Sequence, residues 1–236
     1  MNAKIAVLGL ASTLGSTALA GEFTLGELNT GATLENQDIV VSPLLHPTSI
    51  GMTDNVELIT CLICNAFVAN AGVEYGIFRE EDSMLSATAW LGFEYPSDEV
   101  PDGAAWLFGK VEYSKLLGED WLTIALGTGM NLSGGEPSLD SVPVSVYYLM
   151  LDGDQAWQFE LWSDPYAISQ GADPLSTTGL SGLWLKAMEK FRFGVGLSLQ
   201  GADGFLANAP DPIAEALVDY PLPVILTPDA QLSWRF

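Results

Sequence analysis

The chain has 236 residues, 48% of them hydrophobic and 16% charged, which suits one domain that is apolar for a soluble protein. Eight basic residues stand against 30 acidic ones, a formal net charge of −22, so the surface repels phosphate backbones and nucleic acid is excluded as a partner. After the N-terminal segment no stretch approaches the ~20 unbroken apolar residues of a spanning helix, and the apolar content is spread as in a membrane barrel, where alternate strand residues face lipid.

In chain order, Lys4 supplies a positive charge, Ile5 to Leu14 an apolar core and Ala18-Leu19-Ala20 a small-x-small cleavage pattern. This predicts a cleavable signal peptide over residues 1–20 and an exported barrel domain over 21–236. With no Cys just past the cleavage point, a lipid anchor is not expected. A first strand is expected near Leu34–Leu44. From about residue 47 to 200, segments of roughly ten residues with period-two hydrophobicity alternate with polar connections. Phe191-Arg192-Phe193-Gly194-Val195-Gly196-Leu197-Ser198-Leu199-Gln200 is the clearest, with large apolar residues at odd positions and small or polar ones at even positions.

Short turns, Thr53-Asp54-Asn55, Glu80-Glu81-Asp82-Ser83, Gly118-Glu119-Asp120, Asp152-Gly153-Asp154-Gln155 and Glu189-Lys190, close these segments into hairpins. Longer connections, at Pro96–Gly103, Gly134–Ser141, Asp164–Thr178 and Ala202–Pro223, join the hairpins. In the last of these, Asp211 and Pro212 start a short helix predicted over 212–219. Five hairpins give ten strands; the C-terminal segment and the one near Leu34–Leu44 make twelve. The fold expected is all-β, a transmembrane antiparallel up-and-down barrel of twelve strands, with ten as the alternative count. Glycine on the polar faces relieves crowding on a concave wall, which separates this reading from a soluble sandwich.

The ending Gln231-Leu232-Ser233-Trp234-Arg235-Phe236 resembles the C-terminal signature of bacterial outer-membrane proteins, an aromatic last residue preceded by apolar residues at alternate positions. The resemblance implies that Leu232, Trp234 and Phe236 form an assembly signal. It further implies delivery by periplasmic chaperones to the barrel-assembly machinery and residence in the bacterial outer membrane. Ile50-Gly51-Met52-Thr53-Asp54-Asn55-Val56-Glu57-Leu58 is similar to a Gly-x-Thr-Asp hairpin that recurs in uncharacterised barrels and in some barrels for aromatic compounds.

Turning the apolar parity toward lipid puts Glu57, Glu74, Glu94, Lys110, Glu112, Glu160, Lys186, Arg192 and Arg235 inside, together with Trp90, Trp106 and Trp184. A misplaced Lys or Arg at the lipid midplane would cost roughly 2–4 kcal/mol. Two functions compete: a passive or gated channel for small solutes, with cations as a possible cargo, and a closed structural or loop-presenting barrel. A hydrolase built on His46, the single histidine, is a distant third, because no motif surrounds it and Ser49 is near in sequence alone. No enzyme activity, cofactor or metal is expected. Cys61 and Cys64 read as small apolar fillers, since three residues along a strand reach opposite faces and pairing needs the strand to break. Oligomeric state is not read from the sequence.

Overall fold

The computed structural model describes residues 23, 25–28, 30–42, 47–62, 64–66, 68–96, 103–133, 136–201 and 224–236. The predicted signal segment, the helix expected at 212–219 and His46 lie outside the described residues.

Among the described residues thirteen strands follow one another: β1 (Ile39–Val41), β2 (Thr48–Thr53), β3 (Val56–Thr60), β4 (Val68–Arg79), β5 (Ser83–Glu94), β6 (Ala104–Leu117) and β7 (Asp120–Asn131). Then come β8 (Ser138–Ser141), β9 (Val144–Asp152), β10 (Gln155–Ser163), β11 (Thr178–Met188), β12 (Phe191–Gly201) and β13 (Val224–Arg235). All but β8 form one ring of antiparallel neighbours, which closes where β1 meets β13. Twelve strands thus make the wall, as the hairpin count predicts. β8 lies in a connection that the sequence marks as loop and folds back on the end of β7, opposite Gly129 to Asn131.

Turn chemistry sets the two ends. At one end the hairpins turn within a few residues, and Gly118 and Gly153 adopt φ of 74° and 59°, a region that glycine enters without steric cost. At the other end the connections are longer. Asp164 caps a one-turn helix, α1 (Pro165–Ser169), accepting from the Tyr166 and Ala167 N–H groups at 3.0 and 3.1 Å, with Pro165 at the first position.

Across the ladder, outward residues line up in register. Phe78, Leu85, Tyr113, Ile124, Val146, Leu161, Leu180, Leu199 and Leu226 occupy one level on successive strands from β4 to β13, omitting β8. The belt is solvent-facing in the isolated chain; Leu226, for example, is 59% exposed. The β1–β13 seam has two register pairs, Val40 with Arg235 and Val41 with Trp234. Phe236 extends it, donating its N–H to Ile39 O at 2.8 Å and accepting from Ile39 N at 3.2 Å.

Two expectations are corrected. In β11 the parity is inverted: Leu183, Leu185 and Ala187 are buried inside, while Trp184 and Lys186 share the outer face with Trp157, their neighbour on β10. Both faces of this strand carry large apolar residues, so its pattern does not show which side is filled from within. Lys186 sits beside the short turns, where its ammonium meets Asp154 at 2.5 Å. The second correction concerns Cys61 and Cys64, which form a disulfide rather than standing apart as fillers. β3 ends at Thr60, and a 3-10 turn at Cys64–Ala66 brings the two Cα atoms to 5.1 Å.

Candidate functional site in the barrel interior

The segment before β1 occupies the interior. Leu25–Glu27 forms a 3-10 turn, and from Thr30 to Leu34 the chain runs along the inner wall with its residues buried. A strand here would have joined the ladder; instead the small residues Gly31 and Ala32 let the backbone pass close to the wall. A Cβ on Gly31 would stand 2.5 Å from the Glu112 carbonyl oxygen and 3.3 Å from that of Met84. Gly31 N–H donates to Ser114 Oγ at 2.7 Å, and Leu34 N–H to Glu57 Oε2 at 2.9 Å. The chain then turns at Gln37 (φ 74°) and enters β1. Gly51 of the Gly-x-Thr-Asp hairpin acquires a physical role here. Its carbonyl accepts from Gln37 N–H at 2.8 Å, and any Cβ would collide with the Glu35 carbonyl.

Apolar and ionic contacts hold this plug at the short-turn end. Phe23, Leu28 and Ala32 join a buried cluster with the inward side chains Met84, Trp121, Leu149, Ala156, Leu183, Leu185 and Ala187. That demand for apolar partners explains the parity of β11. Beside the cluster, Glu27, 5% exposed, is gripped by two guanidinium groups. Arg192 Nε lies 2.5 Å from its Oε2 and Nη2 3.3 Å from its Oε1, while Arg235 Nη1 is 2.9 Å from Oε1. Arg235 also reaches Asp38 at 2.5 Å, and the Arg192 guanidinium stands 5.5 Å from the Phe23 ring centroid.

Midway along the barrel the inward residues are acidic. Glu57, Glu74, Thr88 and Lys110 are directly opposite one another on β3, β4, β5 and β6. In the adjoining level Ser86 stands opposite Glu112. Lys110 Nζ pairs with Glu112 Oε2 at 2.7 Å. Glu57, Glu74 and Glu112 are fully buried and Lys110 is 8% exposed. Glu160, half-buried on β10, lies opposite Tyr147 on the inner face. Both Glu74 carboxylate oxygens, Glu57 Oε1, Ser86 Oγ and Thr88 Oγ1 are buried without a hydrogen-bond partner among the described residues. Glu94 is half-buried on the inner register at the long-loop rim, above Trp90. There Ile59, Cys61 and Trp90 form a second apolar cluster, flanked by Trp106 and Phe108.

Of the residues singled out by sequence, Glu57, Glu74, Lys110, Glu112 and Glu160 therefore share one inner zone, Arg192 belongs to the plug contact, Glu94 is remote and Lys186 is outside. Leu232 and Trp234 take the outward register of β13, and Phe236 is 61% exposed at the seam. The sequence reasoning missed Glu27, Gly31 and Leu34. A signal was present in Leu25-Gly26-Glu27-Leu28-Asn29-Thr30-Gly31-Ala32-Thr33, which has neither strand alternation nor helical period, yet carries an acid to match inward arginines.

The structure defines a class: a closed antiparallel β-barrel whose interior is occupied by the segment that precedes its first strand. No family model matches the chain, and no curated protein or solved structure is detectably similar to it.

Proposed function

We propose that this chain is an exported outer-membrane barrel that acts as a gated pore for small solutes, closed at rest by residues 23–38. The outward belt supports the membrane. A contiguous apolar level across nine strands exceeds what monomeric soluble proteins leave exposed, and the long strands have the 9–11 residues or more that a tilted spanning strand needs. The leader at 1–20 and the aromatic terminus fit export and delivery to the assembly machinery by periplasmic chaperones, with the short turns on the periplasmic side.

One observation carries the gating reading. The plug's Leu34 N–H sits on Glu57, within an inner wall that holds four glutamates around one lysine. A permanently filled barrel gains nothing from such residues, because burying ionisable groups without full pairing costs free energy and apolar side chains of similar volume pack at least as well. In a pore that opens, the same wall is hydrated. The competing reading, a closed surface barrel, is favoured by the apolar cluster that seats Phe23 and Leu28. Liposome swelling separates them. The mature chain is expected to be nearly impermeable, and the chain shortened to begin at Glu35 permeable; a shortened barrel that folds and stays impermeable would establish the closed reading.

A further inference from the structure

We infer that the solutes admitted when the plug leaves are small cations, monovalent ions or ammonium-bearing molecules, selected by the acidic zone at Glu57, Glu74, Glu112 and Glu160. This rests on the gated-pore reading and adds the class of solute to it.

The arrangement has three parts. First, the strand ladder places Glu57 directly opposite Glu74, so two carboxyl groups share one level of the inner wall. The fold keeps this juxtaposition although alternate registers or residues would remove it. Second, several oxygens in this zone are buried with hydrogen-bonding capacity left over. Both Glu74 oxygens, Glu57 Oε1 and the hydroxyls of Ser86 and Thr88 are buried without partners among the described residues. Thr88 is 7% exposed and stands between Glu74 and Lys110; Ser86 is fully buried on the next inward position of β5, opposite Glu112. The two hydroxyls are not acids, and they project into the same zone from the strand between the two acid-bearing ones. A group of oxygens with unused lone pairs takes cationic or hydrogen-donating guests. Third, the plug already fills part of this role by hydrogen-bond donation, since the Leu34 N–H occupies Glu57 Oε2. Withdrawal of the plug exposes that oxygen to the next donor or cation that enters.

Selection here is by field rather than chelation. Among the described residues no three His, Cys, Asp or Glu side chains are arranged to hold a metal ion. The acids are spread over β3, β4, β6 and β10, so a hydrated cation is attracted and released, as passage requires. Lys110 lies against Glu112 and offsets part of the charge, which leaves the zone acidic.

The test is the ratio of cation to anion permeability in planar bilayers under a potassium chloride gradient. The protein is the full mature chain carrying Glu27→Gln, which weakens the ion pairs at the plug while leaving the acidic zone intact. The expected preference for potassium is roughly tenfold, equivalent to about 1.4 kcal/mol of differential stabilisation. Adding Glu57→Gln, Glu74→Gln and Glu112→Gln is expected to bring the ratio close to one without abolishing current. Should that triple variant fail to assemble, Glu74→Gln alone, isosteric and at a side chain that forms no ion pair, is expected to lower the ratio measurably. Currents that are unselective in Glu27→Gln, or a ratio unmoved by Glu74→Gln, would overturn the inference and leave the gated pore standing. Absence of current in Glu27→Gln and in the chain beginning at Glu35 would overturn the pore itself.

Discussion

Removing one charge at Glu27 is expected to unseat the plug while leaving the barrel folded. Glu27→Gln keeps the shape of the side chain but leaves Arg192, 4% exposed, facing a neutral amide, while Arg235 keeps its pair with Asp38. Breaking a buried pair by removing one partner costs about 3–5 kcal/mol, because the remaining charge stays desolvated. The β12–β13 ladder, with eleven register pairs, does not pass through this contact, so the loss falls on the docking of residues 23–38. At about 1.4 kcal/mol per tenfold, the undocked population rises by two to three orders of magnitude. Amide hydrogen exchange in detergent micelles reads this directly. Gly31 and Leu34, which donate to Ser114 and Glu57, are expected to exchange at least ~100-fold faster in the variant. Amides of Leu183 and Leu197, in the β11–β12 ladder, should be unchanged. Equal protection of Gly31 and Leu34 in both proteins would refute the claim that these ion pairs hold the segment.

Gly31→Val should have a similar effect by a different route, since its side chain must displace the backbone at Glu112 and Met84; accelerated exchange at Leu34 with retained heat-modifiable migration in detergent gels is the expected result. Deleting Phe236 removes both backbone hydrogen bonds that extend the two-pair seam, and is expected to lower the yield of heat-modifiable barrel several-fold more than Phe236→Tyr does. At the short turns, the Lys115 ammonium beside Asp82 holds that carboxyl below its ordinary value of 3.8. A carboxyl lowered on folding contributes stability above the unfolded value and loses it as pH falls through the lower folded value. Because both groups are exposed the effect is small: Asp82→Asn should leave unfolding at neutral pH nearly unchanged, and nuclear magnetic resonance titration of Asp82 should give a midpoint below 3.8.

The wall was legible because each hairpin announced itself twice, by period-two alternation and by turn residues such as Asp152-Gly153-Asp154-Gln155. Alternation also assigned Glu57, Glu74, Lys110 and Glu112 to one side, since polar residues among apolar ones mark the inner face wherever the outer face must be greasy. The same rule failed at Leu183-Trp184-Leu185-Lys186. There the inner face is apolar too, because the interior holds a peptide segment rather than water, and parity is ambiguous when both sides are large and greasy. The plug was invisible for a related reason. Leu34 and Gly31 donate to Glu57 and Ser114, 23 and 83 positions away in sequence, and no local period records such contacts. The strand expected at Leu34–Leu44 shrank to Ile39–Val41 because Leu34 belongs to the interior segment. Cys61 and Cys64 were misread by extending β3 one turn too far; the strand stops at Thr60, and Asn70 accepts the Cys61 N–H at 2.8 Å where the ladder ends.

The account stands on the interior position of the described residues between Phe23 and Asp38, and the most direct measurement is of contacts between Leu28 and the inner wall in the detergent-solubilised protein. Selective methyl labelling of leucine should give through-space cross-peaks linking Leu28 to the buried cluster that contains Trp121 and Leu149. Sharp Leu28 methyl signals at random-coil shifts, with no cross-peak to either side chain, would place the segment outside the barrel and contradict the account.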